Sequence, residues 1–171
     1  MGQRQNVLNI FVLTYEGRVI VRPDTTWVRK YEDFFVPDFV GSLSISDVLA
    51  AKVSRPGKCI AERFAERYFE QMGEGLLFYP DNLLDGSEQG YAEAMCLGHT
   101  AYVPMPEAAK ESFTQEERAS MRKAFVAVSR MCIIRNGDIV AVETAKRRPL
   151  VDRSDGNVEV SKGDHSFSVI F

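Results

Sequence analysis

Short runs of β-branched and apolar residues, each bounded by turn-forming residues, restrict the fold of this chain more than any other feature. Residues 7–14 and 18–21 flank Glu16-Gly17, and this arrangement predicts a first β-hairpin. Further strands are predicted at residues 34–36, 45–54, 76–79 and 167–171. The pattern indicates an α+β protein that is rich in β-structure.

One segment before the strand at 76–79 has helical periodicity. Over residues 60–72 an apolar side chain recurs at every fourth position: Ile60, Phe64, Tyr68 and Met72. We therefore predict an amphipathic helix that buries this stripe. It is expected to end at Gly73 and Gly75, because glycine tolerates the backbone conformation of a helix C-terminus.

A second helix is predicted to begin at Thr114, which can form a capping box with Glu117. Its inward stripe is Met121, Phe125 and Val128. Beyond it, the Asn136-Gly137 pair predicts a hairpin between residues 133–134 and 139–142. Residues 83–113 contain several glycines and prolines, and they predict a long irregular connection of the kind that often carries function.

Length and charge limit the class of protein. At 171 residues the whole chain, 1–171, is expected to form a single domain. The net charge is −3 and the basic residues are scattered, which argues against nucleic acid or an anionic membrane as a partner. No stretch approaches the roughly 20 apolar residues of a membrane span.

The three cysteines, Cys59, Cys96 and Cys132, are widely spaced and form no Cys-x-x-Cys pair. They favour a reducing compartment and hence a cytoplasmic location over a disulfide scaffold. The apolar run at residues 7–13 is followed by Tyr15, Glu16 and Gly17 rather than by a signal-cleavage site, so we interpret it as a strand.

Cys96 and His99 lie three residues apart and could form a nucleophile pair or half of a zinc site. Packing is the favoured interpretation, because no second ligand pair is visible. His165 follows Asp164 and the Gly163 turn, where a solvated turn histidine is expected.

Other charged groups also allow both a functional and a solvated interpretation. The basic run at residues 146–148 favours a solvated loop over a phosphate or partner contact. Asp81, Asp85 and Glu88 offer oxygen ligands for a hard cation, although an exposed polar loop is favoured. Glu143, at a strand end, is predicted to carry no chemistry by itself.

Several segments occur in an order that resembles the fumarylacetoacetate hydrolase family: residues 19–25, 34–39, 52–58 and 60–75, followed by Gly137-Asp138 and Gly163-Asp164. The resemblance covers most of residues 18–171. It implies a mixed β-roll or β-sandwich with two short flanking helices, usually assembled as a homodimer. It also implies that the segment carrying the family's lid histidine is missing, since Thr14 passes through a tight turn to Val19.

The resemblance also bears on cofactors. Members of that family bind magnesium or manganese through a Glu-x-Glu pair and a later aspartate, and they act on acylpyruvates or related oxo acids. The matching positions here are Ser46, Val48 and Leu77. Asp47 lies between the first two, and its side chain is expected on the opposite face of the strand. No metal or other cofactor is therefore expected.

Other pocket positions change as well. Leu97 stands where the family has its active-site lysine, and residues 140–143 replace its substrate loop. The altered pocket is predicted to comprise Arg22, Ser46, Val48, Leu77, Asp81, Leu97 and Thr100. No catalytic residue is assigned.

Three functions remain open. The first is a non-catalytic pseudoenzyme that binds a partner protein or a small ligand in the remodelled pocket. The second is a hydrolase or lyase of acylpyruvate-like oxo acids that uses relocated groups such as Asp81, Glu74 or His99. The third is a subunit that pairs with an active relative.

Overall fold

A nine-stranded mixed sheet and a three-stranded sheet form the framework of the protein. The computed structural model describes residues 8–171. In the large sheet the strand order is β2-β1-β9-β5-β6-β7-β3, with β10 paired to β5 and β8 paired to β6. In the small sheet it is β11-β12-β4. The β-rich α+β architecture predicted from the sequence is confirmed.

The strands are short except for two at the centre. Their bounds are β1 Asn9–Leu13, β2 Val19–Pro23, β3 Trp27–Val28, β4 Phe34–Phe35, β5 Ser42–Val53, β6 Phe69–Pro80, β7 Ala101–Tyr102, β8 Ala108–Ala109, β9 Ile139–Glu143, β10 Arg148–Asp152, β11 Val158–Lys162 and β12 His165–Ile170. The helices are α1 Glu88–Cys96 and α2 Gln115–Met131. Four short 3-10 turns complete the chain, at Asp24–Thr26, Glu62–Tyr68, Lys110–Ser112 and Arg153–Asp155.

The central strands β5 and β6 are antiparallel, and their register sets the core. Along both strands successive apolar side chains point to opposite faces, so both faces of the sheet carry buried residues. On one face Leu49 and Val53 pack with α2 residues such as Phe125. On the other face Val48 and Leu77 pack with Met95 of α1. A third cluster lies between the large and the small sheet.

The first hairpin forms as predicted: β1 and β2 are antiparallel, and Gly17 takes a φ of +85° in the turn. Residue 7, the start of the predicted strand, lies outside the described residues. The predicted helix at Thr114 is also confirmed, since the Thr114 side chain accepts from the Glu117 backbone N–H and the Glu117 carboxylate accepts from the Thr114 N–H. Its stripe at Met121, Phe125 and Val128 is buried.

The helix predicted at 60–72 is wrong. Glu62–Tyr68 is a 3-10 turn, and Met72 already belongs to β6, where it pairs with Ala51 of β5. Phe64 and Tyr68 are only half-buried, although Ile60 and Met72 lie in the core. The apolar residues that recur at every fourth position belong to two different elements, the turn at Glu62–Tyr68 and strand β6. The pairing of β6 with β5, rather than this local periodicity, determines the conformation of Met72.

The two glycines expected to end that helix lie inside β6 instead. Gly75 is required there by packing, because a Cβ at this position would come 2.7 Å from the carbonyl oxygen of Tyr102 in β7. The close approach of β6 and β7, rather than a helix end, therefore explains this glycine.

Two other connections differ from the prediction. The Asn136-Gly137 turn leads from α2 into β9, but residue 134 forms an isolated bridge with Gly57, so residues 133–142 are not a hairpin. Residues 83–113 are not irregular throughout, because they contain α1, β7 and β8. Among residues 8–171, no helix is both long and apolar enough to cross a membrane.

Asp47 of β5 joins both sheets through ion pairs. Its carboxylate accepts from Arg148 Nη1 at 2.6 Å and from Lys162 Nζ at 2.9 Å. Burial by itself would raise the pKa of Asp47, but these two hydrogen bonds and charges outweigh burial and hold that pKa below its usual value. The stabilisation is therefore present above the pKa of the unfolded chain and is lost as pH falls through the folded-state pKa.

We expect Asp47→Asn to lower the free energy of unfolding by about 1 kcal/mol at neutral pH, because Arg148 is half-exposed and solvent screens its charge. The difference should vanish in acid, where the parent carboxyl is protonated. Urea unfolding at several pH values measures it, and a difference of constant size down to acidic pH would contradict this assignment.

Candidate functional site

A cavity of about 490 Å³ opens on the face of the large sheet that carries α1. Its walls come from four places: the β1–β2 hairpin, the end of β6, helix α1 with the loop before it, and the end of β9 with the segment that follows. Helix α1 and the loop before it contribute apolar groups, including Leu84, Tyr91 and Met95. Ile20 of β2 also lines the cavity. The cavity thus combines an apolar lining with charged groups at its ends, as small-molecule sites commonly do.

Tyr79 and Glu143 are the innermost polar groups of this lining, since their exposed fractions are 3% and 7%. Tyr79 is near the end of β6 and Glu143 ends β9, so both flank β5 on the same sheet face. The Tyr79 hydroxyl donates a short hydrogen bond to Glu143 Oε1. Burial raises the pKa of Tyr79, and the Arg22 charge opposes that rise without cancelling it. Tyr79 therefore stays a neutral donor.

Arg22 of β2 lies behind Tyr79 and is fully buried. Its Nη1 donates to Thr100 Oγ1 at 2.8 Å, its Nη2 donates to the Phe78 carbonyl at 3.0 Å, and the guanidinium lies 4.7 Å from the centre of the Tyr79 ring. Its Nε has no partner among the described residues. Burial lowers the pKa of Arg22, while the nearby Tyr79 and Glu143 raise it. Tyr79 thus contacts both the buried Arg22 guanidinium and the Glu143 carboxylate.

Basic side chains line the open part of the cavity. Arg147 lies over the Tyr79 ring, with its guanidinium carbon 4.5 Å from the ring centre, and Arg18 and Lys146 line the same cavity. The three basic residues at 146–148 are exposed, as expected for a solvated loop, and Lys146 and Arg147 also line the cavity. Only Arg148 turns away, to the ion pair with Asp47. Glu16 and Glu88, both exposed, are the remaining charged lining residues.

Ser46, Val48 and Leu77 lie together on the cavity side of the sheet, as the resemblance implies. Ser46 pairs directly with Leu77, and Val48 is two residues further along β5. Their exposed fractions are 0%, 1% and 0%. The Ser46 hydroxyl is buried and has no partner among the described residues. One neutral hydroxyl and two hydrocarbon side chains cannot balance the charge of a divalent cation, so the residues present do not fit a metal ion.

None of the seven residues predicted to form the altered pocket lines this cavity. Arg22 and Thr100 are hydrogen-bonded to each other beneath Tyr79, and Thr100 also donates to the Leu97 carbonyl at 2.6 Å. The Leu97 side chain packs at the margin of the cluster between the sheets, away from the cavity lining. Asp81 accepts from Ser44 Oγ with both carboxylate oxygens, at 2.8 and 2.9 Å, and does not line the cavity.

The acidic cluster at Asp81, Asp85 and Glu88 does not converge. Asp85 accepts from the backbone N–H and the hydroxyl of Ser87 at the start of α1, and these hydrogen bonds lower the pKa of Asp85. Within residues 8–171, no three His, Cys, Asp or Glu side chains come close enough to share a metal ion. Hydrogen bonds from Ser44 and Ser87 account for Asp81 and Asp85, whereas Glu88 is exposed and lines the cavity.

The two histidines lie away from the cavity. His99 has a φ of +60°, and its Nε2 is 3.9 Å from Glu32 Oε1, both side chains being exposed. Cys96, its suggested partner, is an exposed thiol at the end of α1. His165 stacks on Tyr31 with the ring centres 5.2 Å apart. None of these groups lines the cavity described above.

The sequence interpretation missed the pair of Tyr79 and Glu143, which are 64 residues apart. A signal was available: each is the polar member of an otherwise apolar strand end, Leu-Leu-Phe-Tyr and Ile-Val-Ala-Val-Glu. A polar group that ends a buried strand needs a partner or a ligand. The prediction that Glu143 carries no chemistry treated it in isolation, and the structure places its carboxylate against the Tyr79 hydroxyl.

No family pattern and no curated protein sequence matches this chain. Solved structures do. A protein from Yersinia pestis assigned to the fumarylacetoacetate hydrolase family has a TM-score of 0.74 at 15% identity, over 96% of this chain and 92% of that one. The chain has the fumarylacetoacetate hydrolase fold. This confirms the fold implied by the sequence resemblance.

Two further structures with the fumarylacetoacetate hydrolase fold have functional names. A fumarylpyruvate hydrolase from Pseudomonas aeruginosa, in complex with Mn²⁺ and pyruvate, has a TM-score of 0.66 at 14% identity, over 84% of this chain and 80% of that one. A 2-hydroxyhepta-2,4-diene-1,7-dioate isomerase from Mycobacterium marinum has a TM-score of 0.65 at 14% identity, over 96% and 75%. The same fold therefore occurs in one protein named as a hydrolase and in another named as an isomerase.

Proposed function

We propose that this chain is a non-catalytic, metal-independent protein of the fumarylacetoacetate hydrolase fold that binds a small carboxylate in the cavity above Tyr79 and Glu143. The observation that carries the proposal is the replacement of an anionic ligand set by Ser46, Val48 and Leu77 in a closed, packed interior. Metal-dependent cleavage has no support from these side chains, whereas the adjoining cavity is open and lined for a ligand.

The charges around the cavity favour an anion. Arg147 is held over Tyr79, and its planar guanidinium can donate two parallel hydrogen bonds to a carboxylate. Arg18 and Lys146 add positive charge, and the N-terminal end of α1 lines the same space through Ser87. Glu16 and Glu88 oppose this attraction. Because these carboxylates and the three basic side chains are all exposed, solvent screens both signs alike, and the proposal depends on the directed hydrogen bonds of the Arg147 guanidinium.

The proposal predicts that benzoylformate or mandelate binds saturably in the presence of EDTA, and that Arg147→Gln weakens this binding about tenfold or more through loss of the charge-assisted hydrogen bonds. Arg130→Gln is the matched control, because Arg130 is an exposed residue of α2 that does not line the cavity. Isothermal titration calorimetry measures both. Absence of binding, or binding that requires manganese, would refute the proposal.

A second candidate is the hydrolase or lyase with relocated groups, which the names of the structural neighbours favour. Among its suggested residues, Asp81 is held by Ser44 and neither Glu74 nor His99 lines the cavity, so Glu143 with Tyr79 would have to act. Incubation of the protein with an acylpyruvate, with and without magnesium, and detection of products by NMR separates the two. Turnover that Glu143→Gln abolishes would establish the second candidate.

The same proposal includes a single domain in the cytoplasm that forms a homodimer or pairs with a related subunit. The large exposed side chains Phe35 and Phe39, with exposed fractions of 73% and 62%, are available for such a contact. Light scattering after gel filtration determines the mass, and a monomer at micromolar concentration would exclude the homodimer.

A further inference from the structure

One oxygen of the Glu143 carboxylate accepts a hydrogen bond from the protein, and the other does not. Oε1 accepts from the Tyr79 hydroxyl, and no group of residues 8–171 donates a hydrogen bond to Oε2. The residue is 7% exposed and lines the cavity. Since no group of the described residues pairs with it, Oε2 is left to hydrogen-bond with water or with the donor of a ligand.

This available oxygen is an acceptor, which restricts the group that can be placed beside it. A ketone oxygen offers only lone pairs, so beside Glu143 it would displace water and leave the carboxylate without a donor. A hydroxyl at the same place donates to Oε2 and restores the hydrogen bond. Sites that present an unpaired polar group discriminate strongly between ligands with and without the complementary hydrogen.

The position of Arg147 relative to Glu143 further restricts the ligand. Arg147 lies over the face of the Tyr79 ring, and Glu143 is bonded to the hydroxyl of the same ring. One tyrosine thus separates the group that attracts a carboxylate from the group that accepts a hydroxyl. A small acid with a hydroxyl next to its carboxylate carries one group for each of these two partners, and the apolar lining at Tyr91 and Met95 suits a hydrocarbon body.

Resting on the carboxylate-binding function proposed above, we infer that the cavity selects 2-hydroxy acids, including the enol form of an oxo acid, over the corresponding 2-oxo acids. The Glu143 carboxylate accepts the ligand hydroxyl, and Arg147 binds the ligand carboxylate. The selection is a property of this chain's own residues and requires no metal ion.

Mandelate and benzoylformate form a matched pair of probes, because they differ only in a hydroxyl or a ketone beside the carboxylate. Benzoylformate has no hydrogen on the carbon beyond the ketone, so it cannot form an enol. In calorimetric titrations with EDTA we expect mandelate to bind at least tenfold more tightly, the effect of one hydrogen bond to a charged group. Competition between the two acids checks that they share one site.

Glu143→Gln is the decisive variant. Its amide can donate as well as accept, so the preference for mandelate should fall to within about threefold. Glu74→Gln, an exposed carboxylate of β6 outside the cavity, should leave the preference unchanged. If Glu143→Gln does not fold, Tyr79→Phe provides the second test. It leaves both Glu143 oxygens without a protein donor, so the preference should be retained or increased.

The outcomes separate this inference from the proposed function. If neither acid binds, the proposed function fails and the inference fails with it. If both bind and benzoylformate is equal to or tighter than mandelate, the carboxylate site stands and the selection is wrong. A preference that persists in Glu143→Gln, or that disappears in Tyr79→Phe, also overturns the role given to Glu143.

Discussion

Replacing Phe125 of α2 by alanine is expected to lower the free energy of unfolding by about 3–5 kcal/mol. The side chain is fully buried, and its ring centre lies 4.9 Å from that of Phe69. Removal of a buried phenyl ring costs its transfer free energy and leaves a cavity between α2 and the sheet. Chemical denaturation monitored by circular dichroism measures the change.

Phe64→Ala is the matched comparison for this prediction. The helix predicted at 60–72 would have made Phe64 a core residue with a cost of about 3–5 kcal/mol. In the structure Phe64 is half-buried and lies 4.6 Å from each of the guanidinium groups of Arg63 and Arg67. The structure therefore predicts that Phe64→Ala lowers the free energy of unfolding by about 1 kcal/mol, the range of exposed cation–π contacts. Equal losses in the two variants would contradict the assignment of residues 62–68 to a peripheral turn.

A second large effect is expected when carboxylates are placed at the three pocket positions. The triple variant Ser46→Glu, Val48→Glu and Leu77→Asp should lose at least about 3 kcal/mol without metal, because three buried anions lose hydration and repel one another. Manganese should restore stability by about 2.7 kcal/mol at a hundredfold excess over its Kd. The parent protein should show neither binding nor a shift of Tm.

The neutral variant Ser46→Gln, Val48→Gln and Leu77→Asn is the control, since it adds side chains of similar size without charge. Thermal unfolding with and without manganese should show no difference for it. Refolding of the charged variant in the presence of manganese covers the case in which its metal-free form is unfolded. A charged variant that manganese does not stabilise would show that the register between Ser46 and Leu77 has been assigned to the wrong positions.

The sequence predicted elements whose signals are local. The Thr114 capping box and the stripe through Phe125 are complete within α2, and the first hairpin is specified by its own turn. Helix α1 was missed because Gly90 and few apolar residues weaken its pattern. Gly90 is required by tertiary packing, since a Cβ there would come 2.0 Å from the Leu83 carbonyl oxygen. Such a constraint is visible only when the loop before α1 is in place.

The candidate site could be predicted only in part for the same reason. The resemblance placed Ser46, Val48 and Leu77 on one face, and the pairing of β5 with β6 brings them together. The pair of Tyr79 and Glu143 depends on the order β9-β5-β6, which no local pattern encodes. Arg147 is exposed, as predicted, but a basic run contains no information about the tyrosine beneath it.

The parallel pairing of β1 with β9 has a consequence for the order in which the protein can fold during synthesis. Ile10 pairs with Ile139, so the N-terminal hairpin gains its neighbour in the sheet only after most of the chain has left the ribosome. Closing so long a loop is entropically costly, and contacts of this range slow folding. The cavity needs both the β1–β2 turn and the segment after β9. We therefore expect ligand binding to appear late in refolding and to report completion of the whole sheet.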